Sequence, residues 1–577
     1  MTRKQFLAIL TAAGLRAQST GKTVNDDDHG MKMAGVNGPT SHLEMAAPQA
    51  AAAGPIQAVA TRSGSNLRHG TYLHETRLTP AVVSGGLRKL FSMKMTGDQL
   101  GMEAQPLFMP GVRLASGGTR DLCVCATMAN AVYAFDANTG AVVWKRVLGV
   151  PVKGSKAIDA WVINDHWGIL ATPVLDNGMV YCVAWISPDG SVAKAKHFLY
   201  EVKLNSGAIS RSLPLPDGAI ARKQRAALTI TNVNGKRTLF IPSGTTRETA
   251  QGAHGYVTAV DIDNWKVAAE WSATPGGSGS GIWMAGQGLT EAGDFFLLTG
   301  NGDFGNGNFG ECFVRLRYNN GAFTVVDWWS PWMDSQRNRN GGWDDMDLGA
   351  GAPIYIPEFN LLAGAGKDGI LYVVDADNMG KTSLADLNNP AANYAKLKSP
   401  PIWFTFFPGF GVNAAPNNIR DLDQLFLGRT HHQHGSPVYW NNKIYCWGEN
   451  SNLRAFSIDA AGKLTFLGRS EEVASPFAPV PPGGMPGGMM CLSANGTQDG
   501  VLWACVPDED ANKKRSNGRV FAFDASDFST TLPDGDHHIR RIWMSDTYAY
   551  NKFNVPVVNG GRLYVPTYSG TVDVFGV

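Results

Sequence analysis

The sequence predicts an all-β chain, a single β-propeller of eight four-stranded blades closed by an N-terminal strand. Three observations carry that expectation. A hairpin-sized unit of strand, turn and strand recurs along most of the 577 residues. The composition is rich in turn formers and aromatics, with Gly 67, Pro 31 and Trp 16, while charged residues make up only 17%. The last unit also lacks a strand that an early segment can supply. Short strands joined by Gly/Pro turns give this profile, whereas long helices draw on Glu, Lys, Arg and Ala for their outer faces.

The chain opens with a basic stretch, Thr2-Arg3-Lys4-Gln5, followed by the apolar run Phe6 to Gly14 and then Leu15-Arg16-Ala17. This order reads as a signal peptide over residues 1–17, and it predicts export to the periplasm or the extracellular space. The run is too short to cross a bilayer, and no later apolar run reaches the ~18–20 residues a spanning helix needs. No transmembrane segment is therefore expected in the mature chain. Residues 18–80 show no sustained apolar period and read as a leader, flexible or lying along the propeller surface. A cluster of Asp, His and Met between Asp26 and Met33 could bind a metal loosely.

The propeller is expected over residues 81–577. Its best repeat is Val132-Tyr133-Ala134-Phe135-Asp136-Ala137-Asn138-Thr139-Gly140, with Trp144 four residues on. Alternating apolar residues give the strand, Asp/Asn/Gly give the turn, and Trp144 can dock between neighbouring blades. Related copies begin at Leu199, Val257, Val314, Leu371, Leu453, Val520 and Val572. Such a unit cannot bury both sheet faces alone, so the copies must stack around an axis. Inner strands are marked by a proline at their start, as in Thr172-Pro173-Val174, Ala352-Pro353-Ile354, Ser436-Pro437-Val438 and Val555-Pro556-Val557. A proline there removes no needed ladder hydrogen bond. The alternating segment Leu87 to Lys94 would complete the final blade and remove an exposed edge.

The net charge of +1 excludes an electrostatically driven nucleic-acid binder. All seven cysteines sit in apolar strand-like contexts and read as small buried hydrophobes; no CxxCH is present to attach a haem. Walker, Rossmann, zincin and nucleophile-elbow motifs are absent.

The string Phe135 to Gly140 with Trp144 resembles the tryptophan-docking repeat of quinoprotein alcohol dehydrogenase-like propellers, the PQQ-like superfamily. The resemblance runs from about Leu87 to Val577. It implies the propeller fold and two kinds of role, oxidation of alcohols or sugars with pyrroloquinoline quinone (PQQ), or non-catalytic assembly of outer-membrane proteins. Three strings in family order bear on the first role. The resemblance makes Asn301, in Thr299-Gly300-Asn301-Gly302, a calcium ligand. It makes Trp343 and Asp344, in Trp343-Asp344-Asp345-Met346-Asp347, a quinone contact and the catalytic base. It makes Lys367 a quinone contact. Such a site would use Asp344 for the hydroxyl proton, with calcium and Lys367 polarising the quinone. The adjacent cysteine pair of many relatives is replaced by Cys123-Val124-Cys125, whose alternation puts both sulfurs on one face.

Two further loops point to the channel mouth. Thr430-His431-His432-Gln433-His434-Gly435 precedes an inner strand, and its three histidines could ligate copper, zinc or iron; His434 is expected to face the axis, where a hydrogen-bonded channel histidine is the alternative. A Gly/Pro/Met run contributes Met485. With Trp161, His166, Arg247, Trp283 and Lys552 it outlines an axial pocket for a small molecule or a protein segment. The functional expectation is an exported binding or structural module. The alternative is a PQQ- and calcium-dependent dehydrogenase of an alcohol, sugar or polyol.

Overall fold

The computed structural model describes residues 54–98, 101–154, 164–218, 220–247, 250–331, 347–367, 369–381, 432–478, 484–512 and 514–577, together with the backbone of 423–426. The predicted signal peptide and the start of the leader lie outside these residues.

Eight antiparallel sheets form a ring, as the repeat requires. Blade 1 runs Leu107–Arg113, Thr119–Ala126, Ala131–Asp136 and Val142–Val147 from the axis outward. Blade 2 spans residues 174–214, blade 3 residues 229–272, blade 4 residues 290–329 and blade 5 residues 354–426. Blade 6 spans 438–473 and blade 7 spans 489–544. All eight sequence repeats fall on the third strand of a blade. Each marking proline immediately precedes an inner strand, at Val174, Ile354, Val438 and Val557.

Blade 8 closes the ring as predicted. Val557–Asn559, Arg562–Pro566 and Thr571–Gly576 take Arg88–Lys94 as their outermost strand, with Met93 opposite Val572 and Phe91 opposite Val574. A strand from early in the propeller thereby hydrogen-bonds the last one and completes the fourth place of blade 8.

Neighbouring blades meet through the predicted docking. The Trp144 indole donates from Nε1 to the Leu204 carbonyl at 2.8 Å and lies flat on Gly207 of the next blade, where a Cβ would come 2.6 Å from the ring. Gly207 is therefore required twice, by that approach and by its φ of +67°. Phe91 takes the same place against Gly140 across the closing junction. The cysteines are buried free thiols, and Cys123 and Cys125 share a face with their sulfurs 3.9 Å apart.

From Gly54 to Glu75 the chain touches the inner strand of every blade in turn. Gly54 and Gln57 bond Gly560 and Asn559 of blade 8. Val59 exchanges both hydrogen bonds with Phe108 of blade 1, and the Ala60 carbonyl accepts from Leu175 of blade 2. Asn66 reaches Ile230 of blade 3 and Glu291 of blade 4. His69 bonds the Tyr355 carbonyl of blade 5 and accepts from Tyr439 N–H of blade 6. Thr71–Tyr72 then pairs in parallel with Leu492–Ser493 of blade 7.

Candidate axial pocket

Residues just ahead of the inner strands converge at the end of the axis where those strands begin. Lys223 and Arg225 precede blade 3, Trp283 blade 4, Asp347 blade 5, His434 blade 6, and Lys552 and Phe553 blade 8; together they line a cavity of about 200 Å³. Met485 and Lys367 complete its wall. Three of the four proline-marked strand starts, those of blades 5, 6 and 8, directly follow residues that line the cavity.

The cations are individually positioned. Arg225 pairs with Glu103 through a short Nη1–Oε2 contact, and both side chains are buried. Glu103 Oε1 also accepts from Asn164 Nδ2 and from the Tyr568 hydroxyl, each at 3.1 Å. Burial alone would push the Glu103 carboxyl up, but Arg225, then Lys552 and Asn164, outweigh it and hold the group below the usual carboxylate range. Lys552 donates to Asn512 Oδ1 at 2.8 Å and lies 4.9 Å from the Phe553 ring centroid. Lys223 sits 4.5 Å over the Trp167 ring.

Trp283 is the flat wall of the cavity. Its indole fits between Gly244 and Gly281, where an added Cβ would fall 2.3 Å from the ring system in either case. Directly after it, Met284 and Ala285 hold φ values of +46°, followed by Gly286 at +84°. Two non-glycine residues in the left-handed region cost on the order of 1–3 kcal/mol each, which is a sign of a constrained functional turn. The same turn aims the Ala285 carbonyl at Arg62 of the segment 54–75 that laces the blades together, whose Nη2 donates to it and to the Phe553 carbonyl. Arg62 thus braces two residues of the cavity wall, Ala285 and Phe553, without lining the cavity itself.

The resemblance-derived residues divide as follows. Asn301 is buried and its Oδ1 accepts the Asp347 N–H at 3.2 Å, while Asp347 Oδ2 stands 3.3 Å from Lys367 Nζ. Asn301 and Lys367 are therefore linked through Asp347. Trp343, Asp344, His431 and Trp161 lie outside the described residues. Lys552, Trp283, Met485 and His434 line the cavity, whereas His166 pairs with Lys153 in a separate two-stranded ribbon and Arg247 is exposed on a turn. Sequence reading missed Lys223, Arg225 and Glu103; their position ahead of an inner strand, or for Glu103 ahead of blade 1, was the available signal.

Calcium takes about six to eight oxygen ligands. Around Asn301 the described residues bring together its amide oxygen, which accepts a backbone N–H, the Asp347 carboxylate beside the Lys367 ammonium, and the buried Glu311 carboxylate, whose Oε2 accepts the Leu348 N–H at 2.6 Å. Asp347 Oδ1 is buried there without a hydrogen bond. These oxygens are fewer than a calcium ion takes, and the described residues hold no group of three acidic or imidazole donors there. In the cavity itself cations and an aromatic face converge on one space, a setting that suits a planar polyanion.

The profile of the family described as outer membrane protein assembly factor BamB matches residues 88–210, which include the closing strand, blade 1 and most of blade 2. Two solved structures are similar over nearly the whole length. The quinohemoprotein alcohol dehydrogenase of Comamonas testosteroni is 17% identical, with a TM-score of 0.55 over 90% of this chain and 80% of that one. The quinohemoprotein alcohol dehydrogenase ADHIIG of Pseudomonas putida HK5 is 14% identical, with a TM-score of 0.54 over the same shares. No curated protein matches the sequence. The chain has the fold of PQQ-like propellers, and its residues 88–210 match a family model of that kind. That likeness concerns fold and repeat, and it carries no activity with it. No described helix is long and apolar enough to cross a membrane.

Proposed function

We propose that this chain is an exported binding propeller whose axial cavity takes a small planar anion. The observation that carries this reading is the cation excess at the mouth among the described residues. Lys223, Arg225, Lys367 and Lys552 face one cavity, against Asp347 on its wall and Glu103 behind Arg225. Trp283 supplies the face on which a flat ring would stack, and the neighbouring glycines keep that face in place. PQQ, a planar polycarboxylate, has both features. Export is supported by the basic and apolar order of residues 2–17.

A second reading, a quinone-dependent dehydrogenase, is favoured by one observation: Asn301 and Lys367 meet through Asp347, as parts of one site would. Asp344 would then be the base. Calorimetric titration of PQQ, with and without calcium, separates the two. Saturable binding that ignores calcium and gives no alcohol-dependent dye reduction is the expected result for a binding module. Binding that requires calcium, with dye reduction abolished in Asp344→Ala, would establish the dehydrogenase. Folded protein that binds neither PQQ nor a simple aromatic polycarboxylate would overturn both. Cell fractionation with N-terminal sequencing tests export, with a start after Ala17 expected.

A further inference from the structure

Beside the cavity, and among the described residues only there, two imidazoles and a carboxylate gather. The candidate ligand atoms of His432, His434 and Glu449 all lie within 4.8 Å of one another. His434 Nε2 is 2.6 Å from Glu449 Oε1, and His432 Nδ1 is 3.9 Å from the same oxygen. Tetrahedral zinc with bonds of ~2.0–2.1 Å holds its donors about 3.3 Å apart. The observed separations bracket that value, so small side-chain rotations would seat an ion.

The donors come from two elements that are fixed independently of any ion. His432 and His434 lie on the loop before the inner strand of blade 6, and Glu449 follows its second strand, Lys443–Cys446. The Glu449 N–H donates to the His432 carbonyl at 3.0 Å, and the Gln433 N–H donates to Gly366 at 3.0 Å. Gly488 N–H holds the Trp447 carbonyl at 2.9 Å, which anchors the turn carrying Glu449. The second carboxylate oxygen accepts from Gly484 N–H at 3.1 Å, the outer-sphere support that orients a metal-binding carboxylate. The His434 and Glu449 side chains are each 3% exposed, while His432 at 18% leaves a way in from solvent.

We propose that His432, His434 and Glu449 form a binding site for one divalent transition-metal ion of the zinc class. Two neutral imidazoles and a carboxylate are a zinc donor set that leaves a coordination position for water or an anionic ligand. His434 also lines the axial cavity, so the ion would stand at its wall. The site stands whether or not the cavity takes a planar anion.

The test is a zinc titration of the full-length protein in competition with a chromophoric chelator, repeated with cobalt to read its visible bands. One equivalent per chain is expected, with affinity falling at least about 100-fold in His432→Ala and in Glu449→Gln, beyond the ~10–100-fold typical of an outer-sphere partner. His432 is partly exposed, so His432→Ala keeps the test valid should Glu449→Gln misfold. A folded wild type that binds no zinc would overturn the site. So would binding that persists in His432→Ala, which is the outcome if the ion sits on the Asp26 to Met33 segment instead.

Discussion

In the lacing segment Arg62 and Arg68 are buried, and Arg68 is held by the protein's own acceptors on all three of its nitrogens. Arg68 donates to the carbonyls of Leu289 and Arg62 and to the hydroxyls of Thr61 and Thr229. Neither guanidinium has a carboxylate partner among the described residues, and burial pulls Arg68 down to about 9, still charged at neutral pH. At the mouth, Lys223, Arg225, Lys367 and Lys552 are steadied by aromatic faces, an amide or a single carboxylate around an open cavity. The same charge serves closure at one place and recognition at the other. What differs is the surroundings: Arg68 is enclosed by backbone and hydroxyl acceptors, whereas the mouth cations border a cavity.

The largest expected effect breaks the closed end. Arg68→Met keeps much of the side-chain bulk but leaves several buried acceptors unpaired. We expect a loss of about 4 kcal/mol, read as a lower denaturation midpoint, because each unsatisfied buried group costs ~1–3 kcal/mol. A loss below ~1 kcal/mol would mean that Arg68 does not hold the lacing segment to the blades.

The Glu103–Arg225 pair stands between the two regimes, since it is buried like Arg68 yet supports the mouth. Its carboxyl is held below the usual range, so its stabilisation is present above the unfolded value of 4.5 and is lost as pH falls through the lower folded value. Glu103→Gln should cost about 3 kcal/mol at neutral pH by leaving Arg225 buried without its counter-charge. It should also flatten the acid limb of the stability profile relative to wild type. An acid limb of unchanged steepness would assign that limb to other carboxylates.

Between blades the effect is smaller. Trp144→Ala removes a half-buried indole and its bond to Leu204, and about 2 kcal/mol is expected. Phe91→Ala at the closing junction removes a ring without a polar bond. A cost at Phe91 exceeding that at Trp144 would show that closure matters more than the indole's hydrogen bond.

How much of this was legible in the sequence follows from periodicity. Blade count, third strands, inner-strand prolines and the closing strand all rest on alternation or turn chemistry, which a single chain displays openly. Lys223 and Arg225 showed only their place ahead of an inner strand that carries no proline marker, and nothing local sets the Glu449 carboxylate apart from one on any other loop. Glu449 becomes a partner of His434 only once blade 6 folds back on itself. The roles of Arg62 and Arg68 were hidden for a related reason. Their contacts span up to 491 residues of sequence, and a polar, aperiodic segment gives no sign of being threaded through a core.

The smallest structural effect is also the sharpest test of the comparison. Lys223 lines the cavity, and its ammonium faces the Trp167 ring, 4.5 Å away, with the Trp283 ring 5.9 Å away. Lys223→Met keeps the length of the side chain and its contact with Trp167 while removing the charge. Stability should stay within about 1 kcal/mol of wild type, in contrast to Arg68→Met, where the same exchange of cation for thioether strips filled acceptors. Affinity for PQQ or a simple aromatic polycarboxylate should fall about tenfold, the equivalent of one charge-assisted contact, and should fall further as salt is added to the wild type. Calorimetry and thermal denaturation on the same pair of variants give both readings. Unchanged anion affinity with a large loss of stability in Lys223→Met would make the mouth a second closure and remove the distinction between the two ends.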